Sequence, residues 1–238
     1  MILVASTIAP HKMDEPYFLS WLLHLEVMRE SIDDDLTVFL AAEIDSRGLD
    51  VYQPMTERLD EVGADIWTFG IDKAPLTDEP YEVTTSDRLI RICTGRNLAI
   101  EYAMQHQASH ILHLDTDTEP TPDCLPKLLE VDRALVFGHV PTYCLSGPAI
   151  PELPGDCQMH WSSAGFALVR RDVFRHVRWG WDVDGGHTDD PTFARDVELM
   201  GSALDQDWVP VTHHDVIGTH HPASILPLEN RPVDRMLR

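Results

Sequence analysis

The first half of the chain alternates between short apolar runs and longer segments whose apolar residues recur every three or four positions. Continuous apolar runs are typical of buried strands, whereas the longer spacing, as in Phe18, Leu22 and Leu25, is typical of an amphipathic helix. Strands that alternate with helices indicate parallel βαβ units and a three-layer α/β/α structure. The predicted strands are 2–8, 36–44, 65–71 and 111–114, and the predicted helices are 15–32, 51–62 and 87–107.

The second half is less regular and predicts a mixed arrangement of strands. Pro122 suits the first turn of a short helix, and Gly201 is placed to end a longer one. Because no repeat or linker interrupts the 238 residues, a single domain is expected. The predicted strands are 134–143, 163–169 and 208–221, the helical segments are 171–176 and 189–200, and 146–157 is irregular.

The strand 111–114 ends abruptly at two carboxylates, Asp115 and Asp117, which are separated by one residue. Because side chains alternate along a strand, both carboxylates are expected to point the same way. Two hard oxygen ligands suit a Mg²⁺ or Mn²⁺ ion that also holds a diphosphate, so nucleotide-sugar chemistry is the first hypothesis. The alternative is an Asx-turn that caps the strand before Pro120.

The composition narrows the classes of partner. The formal charge is -22 and only three residues are lysines, so the surface repels phosphate backbones and general nucleic-acid binding is not expected. The four cysteines are scattered and the first ten residues lack a basic leader, which predicts a reduced, cytoplasmic protein. No apolar segment approaches the roughly 20 residues that span a bilayer.

Four motifs, the first of them made of two segments, resemble in order those of family-2-type glycosyltransferases of the GT-A fold. Residues 94–101 and 110–117 resemble the helix and the Asp-x-Asp metal strand of that family. Residues 162–174 are similar to the Gly-rich strand beside its acceptor site, and 188–193 resemble its Glu-Asp-x-x-Phe motif. Residues 216–221 resemble its strand that ends in a metal-binding histidine. The correspondence covers nearly the whole chain.

The resemblance implies a GT-A fold with a mostly parallel central sheet and a mixed acceptor-side half. Residues from 1 to about 120 would bind the nucleotide sugar, and residues from about 121 to 238 would hold the acceptor. It also implies a glycosyltransferase that requires Mn²⁺ or Mg²⁺ and takes a donor of the UDP or GDP type. Such an enzyme would transfer the sugar to an acceptor hydroxyl, here unknown, and would invert the anomeric configuration.

The metal ligands follow from the same resemblance. Asp117 would ligate the ion, and Asp115 would reach the ribose of the donor or a water beside the metal. His220 would complete the site, because its distance from Asp190 along the chain matches the family pattern. Each histidine could instead belong to a solvated loop. The alternatives for the metal-binding histidine are His221 and the cluster of His213, His214 and Asp215.

Asp190 is the candidate general base. Exposed backbone amides at the start of a helix hold a carboxylate there. From that position Asp190 would take the proton of the acceptor hydroxyl as it attacks the anomeric carbon. The alternative is that Asp189 or Asp190 only caps the helix. Asp189 also stands where the family usually has Glu, which is a departure from the motif.

Donor contacts are expected at the ends of the first strands, because open α/β sheets bind ligands there. Thr7 and Glu43 match positions that contact the nucleoside in the resembling family. That family usually has Asp where Glu43 and Ile44 stand, so the base identity is left open. Arg91 and Arg96 are the candidates for the diphosphate, and a surface ion pair is the alternative for each.

Two other functions stay open at this point. A sugar-phosphate nucleotidyltransferase uses a similar sheet, but it normally opens with a Gly-rich basic loop that the first strand here lacks. A non-catalytic relative that binds a glycan or a metal is disfavoured by the retained carboxylates. Among the tryptophans, Trp161 is expected in the core, whereas Trp179 and Trp181 fit either the core or an acceptor site.

Overall fold

The computed structural model describes residues 1–8, 16–43, 59–60, 63–70, 86–140, 165–180 and 189–220. The strands are β1 (Ile2–Ile8), β2 (Leu36–Glu43), β3 (Ala64–Phe69), β4 (His110–Leu114), β5 (Thr118–Pro120), β6 (Leu135–His139), β7 (Phe166–Arg170) and β8 (Val211–His220). The helices are α1 (Pro16–Glu30), α2 (Ser86–Gln105), α3 (Cys124–Glu130), α4 (Arg171–Phe174) and α5 (Asp189–Ala203).

These strands form an eight-stranded sheet in the order β3-β2-β1-β4-β7-β6-β8-β5. Strands β1, β2, β3 and β4 run parallel, with β1 between β2 and β4. Strand β7 is antiparallel to both neighbours, β4 and β6, whereas β8 is parallel to β6 and antiparallel to β5. The mostly parallel sheet with a mixed second half is therefore confirmed.

Two hydrophobic cores lie on opposite faces of the sheet, because successive residues of a strand face opposite ways. In β1, Ile2 and Val4 belong to one core together with α1 and α3. Leu3 and Ala5 belong to the other core together with α2, α4 and α5. All four residues are buried. The helices thus cover both faces, which confirms the three-layer α/β/α arrangement.

Most predicted elements are confirmed to within a few residues. Strand β1 has the predicted bounds, and α2 begins one residue before and ends two residues before the predicted helix 87–107. The irregular segment 146–157 lies outside the described residues, as do most of 51–62 and both Trp161 and Trp181.

Some local expectations were wrong because tertiary packing decides them. Helix α5 continues through Gly201 to Ala203. A Cβ on Gly201 would lie 2.5 Å from Cβ of Trp208, so this glycine permits close packing and does not end the helix. Helix α3 begins at Cys124, which leaves Pro122 in the turn before it. The three-residue strand β5 is too short for an apolar pattern to predict.

Candidate active site

The carboxyl ends of β2, β1 and β4 bring three candidate residues to one edge of the sheet. Glu43 is the last residue of β2, Thr7 is the last but one of β1, and Asp115 directly follows β4. Thr7 pairs with Ala41, two residues before Glu43, and the register between β1 and β4 sets Thr7 level with Asp115. These side chains therefore start from the edge where open α/β sheets bind ligands.

Gly95 allows α2 to lie directly on the end of β1. A Cβ at this position would lie 2.3 Å from Oγ1 and 2.9 Å from Cβ of Thr7, which is closer than atoms can approach. The Thr7 hydroxyl oxygen is buried and has no hydrogen-bond partner among the described residues, which is uncommon for a buried polar group. The helix thus packs directly against the strand end at the candidate donor site.

We expect Gly95→Ala to lower the free energy of unfolding by about 1–2 kcal/mol. Alanine favours a helix by about 1 kcal/mol, but overpacking against the stiff, β-branched Thr7 side chain costs about 2–3 kcal/mol, the upper part of the usual range, because the approach is so close. Urea denaturation measures the difference. Gly70→Ala is the control, because no atom lies within 4 Å of a Cβ built there. Equal stability of the two variants would contradict the close contact.

Arg91 and Glu43 form a buried ion pair. Arg91 Nε lies 2.8 Å from Glu43 Oε1, and only 4% of Arg91 is exposed. The surface ion pair that was the alternative for Arg91 is thus replaced by a buried one. This pair joins α2 to the carboxyl end of β2. Both candidates for donor contacts therefore have a structural partner within the protein as well.

Arg96 connects the candidate donor site to Trp179. Its Nη2 lies 3.5 Å from Asp115 Oδ1, and its Cζ lies 4.7 Å from the centroid of the Trp179 ring. Arg96 is only 5% exposed, whereas the Asp115 side chain is 39% exposed. Because a guanidinium is attracted to an aromatic face, Trp179 stabilises this buried cation where it meets Asp115.

Trp179 is fixed by contacts on several sides. Phe193 stacks on its ring, with centroids 3.8 Å apart and 11° between the planes. Its indole N–H donates to His113 Nε2 at 3.2 Å. Its main-chain N–H donates to Asn97 Oδ1, and its carbonyl accepts from Asn97 Nδ2. Only 3% of Trp179 is exposed, so the core position is the correct one of the two interpretations left open.

His113 lies buried on β4 as a neutral ring. Burial, and after it the positive charge of Arg96, holds the pKa of His113 well below its usual range. Because Nε2 accepts the hydrogen bond from Trp179, the ring proton is assigned to Nδ1. The neutral ring avoids a second cation beside Arg96 and supplies the acceptor that the indole requires.

Asp115 and Asp117 belong to a turn and not to a continuing strand. Strand β4 ends at Leu114, and the Thr118 N–H donates to the Asp115 carbonyl at 2.9 Å, which closes a four-residue turn. The Asp115 N–H donates to the Gly165 carbonyl at 2.8 Å. The expected common direction of the two carboxylates rested on strand alternation, and that reasoning was wrong because the strand has already ended.

The pairing of β5 with β8 brings His220 next to this turn. Thr118, the residue after Asp117, pairs with His220 in an antiparallel register. The main chains of Asp117 and His220 are therefore neighbours although they lie far apart in sequence. Among the described residues, no group of three or more His, Cys, Asp or Glu side chains is arranged to hold a metal ion.

The alternative histidine cluster lies at an irregularity of β8. Gly138 pairs with His213, and the next residue, His139, pairs with Ile217, so residues 214–216 form a bulge. This bulge comes before the part of β8 that pairs with β5. His221, the other alternative, lies outside the described residues.

Asp190 lies in the first turn of α5, because the helix begins at Asp189. The predicted helix start is thus confirmed, while the chemical role of Asp190 stays a prediction. Phe193, three residues later, is the residue that stacks on Trp179. The start of α5 is therefore connected through Trp179 to Arg96 and the turn after β4.

A cleft of about 460 Å³ lies between the segment after α4 and the second half of α5. None of the candidate residues lines it, so it is separate from the strand ends that hold Thr7, Glu43 and Asp115. Its lining residues are His176, Val177, Arg178, Asp196, Leu199, Met200 and Ala203.

Sequence reasoning missed the roles of Asn97, His113 and Phe193. Asn97 and His113 stood inside the motif segments 94–101 and 110–117 without an assigned contact. A histidine in an otherwise apolar strand is a usable signal, since a buried ring nitrogen needs a partner. Its partner could not be named from the sequence, because Trp179 lies 66 residues further along the chain.

The fold has three layers, with helices on both faces of one sheet. The sheet is parallel in its first half, and a turn that carries two carboxylates follows the central strand β4. This arrangement is a GT-A fold. At the level of sequence, no family model matches the chain and no curated protein is significantly similar to it. The comparison with known proteins therefore rests on structure.

Similar chains are found among solved structures at low sequence identity. The mannosyltransferase PcManGT from Pyrobaculum calidifontis, in complex with GDP-Man and Mn²⁺, is similar with a TM-score of 0.56 and 13% identity over 99% of this chain and 59% of that one. This chain thus spans about three fifths of PcManGT. A protein from STIV gives 0.50 and 10% over 93% and 86% of the two chains. A glycosyltransferase involved in the glycosylation of the major capsid of PBCV-1 gives 0.44 and 10% over 94% of each.

Proposed function

We propose that this protein is a metal-dependent glycosyltransferase that moves a sugar from a nucleotide-sugar donor to an acceptor hydroxyl. The donor is of the UDP or GDP type and binds to the half of the domain before about residue 120. The acceptor binds to the half from about 121 to 238. Asp117 and His220 hold a divalent cation, and Asp190 is the general base.

One observation carries this proposal: β5 pairs with the end of β8 directly beside the turn after β4. Thr118 pairs with His220, so the main chain of a candidate histidine ligand runs next to that of Asp117. The same edge of the sheet holds Thr7 and Glu43 at the ends of β1 and β2. Candidate donor and metal residues from distant parts of the sequence are therefore concentrated where such sheets bind ligands.

The position of Arg96 is an argument that a diphosphate binds at this edge of the sheet. The chain carries a formal charge of -22, yet a buried arginine lies at the carboxylate turn and contacts Asp115. Guanidinium groups bind phosphate oxygens through charge-assisted, often bidentate hydrogen bonds. Arg96 is thus suited to bind the diphosphate of a donor that also reaches Asp115.

The residues present fit Mn²⁺ or Mg²⁺. These ions accept carboxylate oxygens, and Mn²⁺ also accepts imidazole nitrogen. They commonly use one or two protein ligands together with water and the phosphates of a substrate. Asp117 with His220 matches such a sparse set, and the Mn²⁺ in the PcManGT complex supports a divalent cation as the cofactor. When bound, the cation would neutralise charge on the departing diphosphate.

The protein's own groups would carry the remaining steps. The acceptor oxygen attacks the anomeric carbon and forms the glycosidic bond, while the bond from that carbon to the diphosphate breaks. Asp190 takes the proton of the acceptor hydroxyl. Arg96 binds the nucleoside diphosphate as it leaves. Attack from the side opposite the leaving group inverts the anomeric configuration.

The cellular compartment is a separate part of the proposal. Cys93 and Cys124 are buried free thiols, which supports a reducing environment such as the cytosol. Within the described residues, no helix combines the length and the apolar character that crossing a membrane requires.

A screen of nucleoside diphosphates and nucleotide sugars, with Mn²⁺ and with excess chelator, tests the proposal. A specific ligand is expected to raise the melting temperature only with the metal, since binding at a hundred times Kd adds about 2.7 kcal/mol of stability. When the bound nucleotide sugar is then incubated with an acceptor, or with water alone as the acceptor, the protein is expected to release the nucleoside diphosphate. Full activity in excess chelator would reject the metal role.

Adding nucleoside triphosphates, sugar phosphates and glycans to the screen separates the other functions. Release of pyrophosphate from a nucleoside triphosphate and a sugar phosphate would identify a nucleotidyltransferase. Binding of a glycan or metal by a protein that binds no nucleotide sugar would identify a non-catalytic relative. Either result overturns the proposed transfer.

A further inference from the structure

Trp179 lies between two parts of the candidate site. One face of its ring is covered by Phe193 of α5. The guanidinium of Arg96 therefore lies over the other face, 4.7 Å from the ring centroid. Because both faces are occupied and only 3% of the residue is exposed, Trp179 is not a stacking platform for an acceptor sugar.

We propose that Trp179 is a positioning residue for glycosyl transfer, which acts through Arg96 on one side and through the start of α5 on the other. His113 sets the angle of the indole ring by accepting its N–H. This inference rests on the proposed function, because Arg96 is assigned to the diphosphate there and Asp190 to the acceptor proton.

The arginine side chain is the part of the candidate donor site that Trp179 contacts directly. Arg96 is long, flexible and almost fully buried, and its contact with Asp115 is 3.5 Å, which is long for a charged hydrogen bond. The face of Trp179 fixes the plane beside which the guanidinium lies, and the ring is fixed in turn by the pairing of its main chain with Asn97.

His113 makes the orientation of the ring specific. An indole N–H buried without an acceptor costs free energy, so the ring is held in the orientation in which His113 Nε2 accepts. Leucine at position 113 would remove the acceptor, whereas glutamine would retain one at a similar distance from the backbone. These two variants separate loss of the hydrogen bond from loss of the imidazole.

Trp208 provides a matched control for the tryptophan itself. It is 3% exposed, like Trp179, and belongs to the same hydrophobic core. It packs against Gly201 near the other end of α5, and its indole N–H has no hydrogen-bond partner among the described residues. Replacing Trp208 by leucine removes a buried indole of the same size without touching Arg96.

The test measures by calorimetry how the wild type and four variants bind UDP and GDP in the presence of Mn²⁺. Binding of uridine and guanosine is measured in the same way. The temperature is kept below the melting temperature of every variant. Trp179→Leu and His113→Leu are expected to bind the preferred diphosphate about tenfold more weakly, with nucleoside binding unchanged, because the phosphate contact alone is disturbed. His113→Gln is expected to recover most of the loss, and Trp208→Leu to bind like the wild type.

The outcomes distinguish this inference from the function on which it rests. A wild type that binds neither diphosphate overturns both. A wild type that binds one, with Trp179→Leu and His113→Leu unchanged, overturns only the positioning role. Equal losses of diphosphate and nucleoside, or a loss in Trp208→Leu as large as in Trp179→Leu, would assign the effect to general core damage and overturn it also.

Discussion

Replacing Asp117 by asparagine is expected to reduce the rate of sugar transfer by about 100-fold or more. The amide keeps the shape of the side chain but removes the negative charge that would bind the cation. A metal ion that stabilises a leaving group contributes several kcal/mol to lowering the barrier, and each 1.4 kcal/mol is about tenfold in rate. Initial rates measured across a Mn²⁺ titration should show both the lower maximum and a weaker apparent metal affinity.

Asp123→Asn is the matched control for this change. Asp123 lies six residues further along, where its exposed carboxylate pairs with Lys127 Nζ at 2.7 Å. The Lys127 ammonium holds the pKa of Asp123 below its usual value, so this carboxylate is charged at neutral pH. Loss of this exposed charge should leave transfer unchanged. A rate loss as large as that of Asp117→Asn, or a metal titration that neither variant alters, would contradict the assignment of Asp117.

The position of the candidate site at one edge of the sheet could be predicted from the sequence, because the βαβ pattern sets which strand ends share that edge. Apolar runs placed β1, β2 and β4 correctly, and parallel strands connected by helices end at the same edge. Thr7, Glu43 and Asp115 therefore had to lie near one another once the strands were known. The order of the sheet beyond β4 was not predictable in this way, because antiparallel β7 enters from a distant part of the chain.

The contacts within the site could not be predicted, because they depend on residues that the chain brings together from a distance. The sequence indicates that Arg96 either binds the diphosphate or forms a surface ion pair. No neighbouring residue in the sequence indicates that Trp179 covers its guanidinium. Gly201 gave a local signal for a helix end, but its close contact with Trp208 has a different cause. Local patterns thus located the strands and helices, while long-range packing decided what each polar side chain meets.

Segment 94–101, which resembles a motif at the level of sequence, makes several of the contacts around the candidate site. Gly95 lets α2 approach Thr7, Arg96 lies between Asp115 and Trp179, and Asn97 holds the main chain of Trp179. Three successive residues of one helix therefore organise the ends of two strands and the segment before α5. The contacts depend on the order of these residues in the helix, so the segment as a whole indicates the local structure although each residue type alone is common.

Replacing Asp190 by asparagine is expected to lower kcat for transfer by a factor of about 10² to 10⁴, which is the usual contribution of a general base. Binding of the nucleoside diphosphate should be unchanged, because that ligand lacks the hydroxyl whose proton Asp190 would take. Steady-state kinetics with saturating donor, together with calorimetry, measure the two quantities separately. Asp196→Asn, in the same helix, is the control, since this exposed carboxylate contacts its neighbour Arg195 at 3.2 Å.

The alternative for Asp190 is a capping role only, and the choice of substitution decides between the two. Asparagine and serine cap helices about as well as aspartate, so a residue that only caps can be replaced by either with little change in stability. A base cannot be replaced by either, because neither side chain takes up a proton at neutral pH. If Asp190→Asn and Asp190→Ser melt like the wild type yet transfer no sugar, the carboxylate takes part in the reaction. If both transfer sugar at the normal rate, Asp190 only begins the helix, and another group must accept the proton.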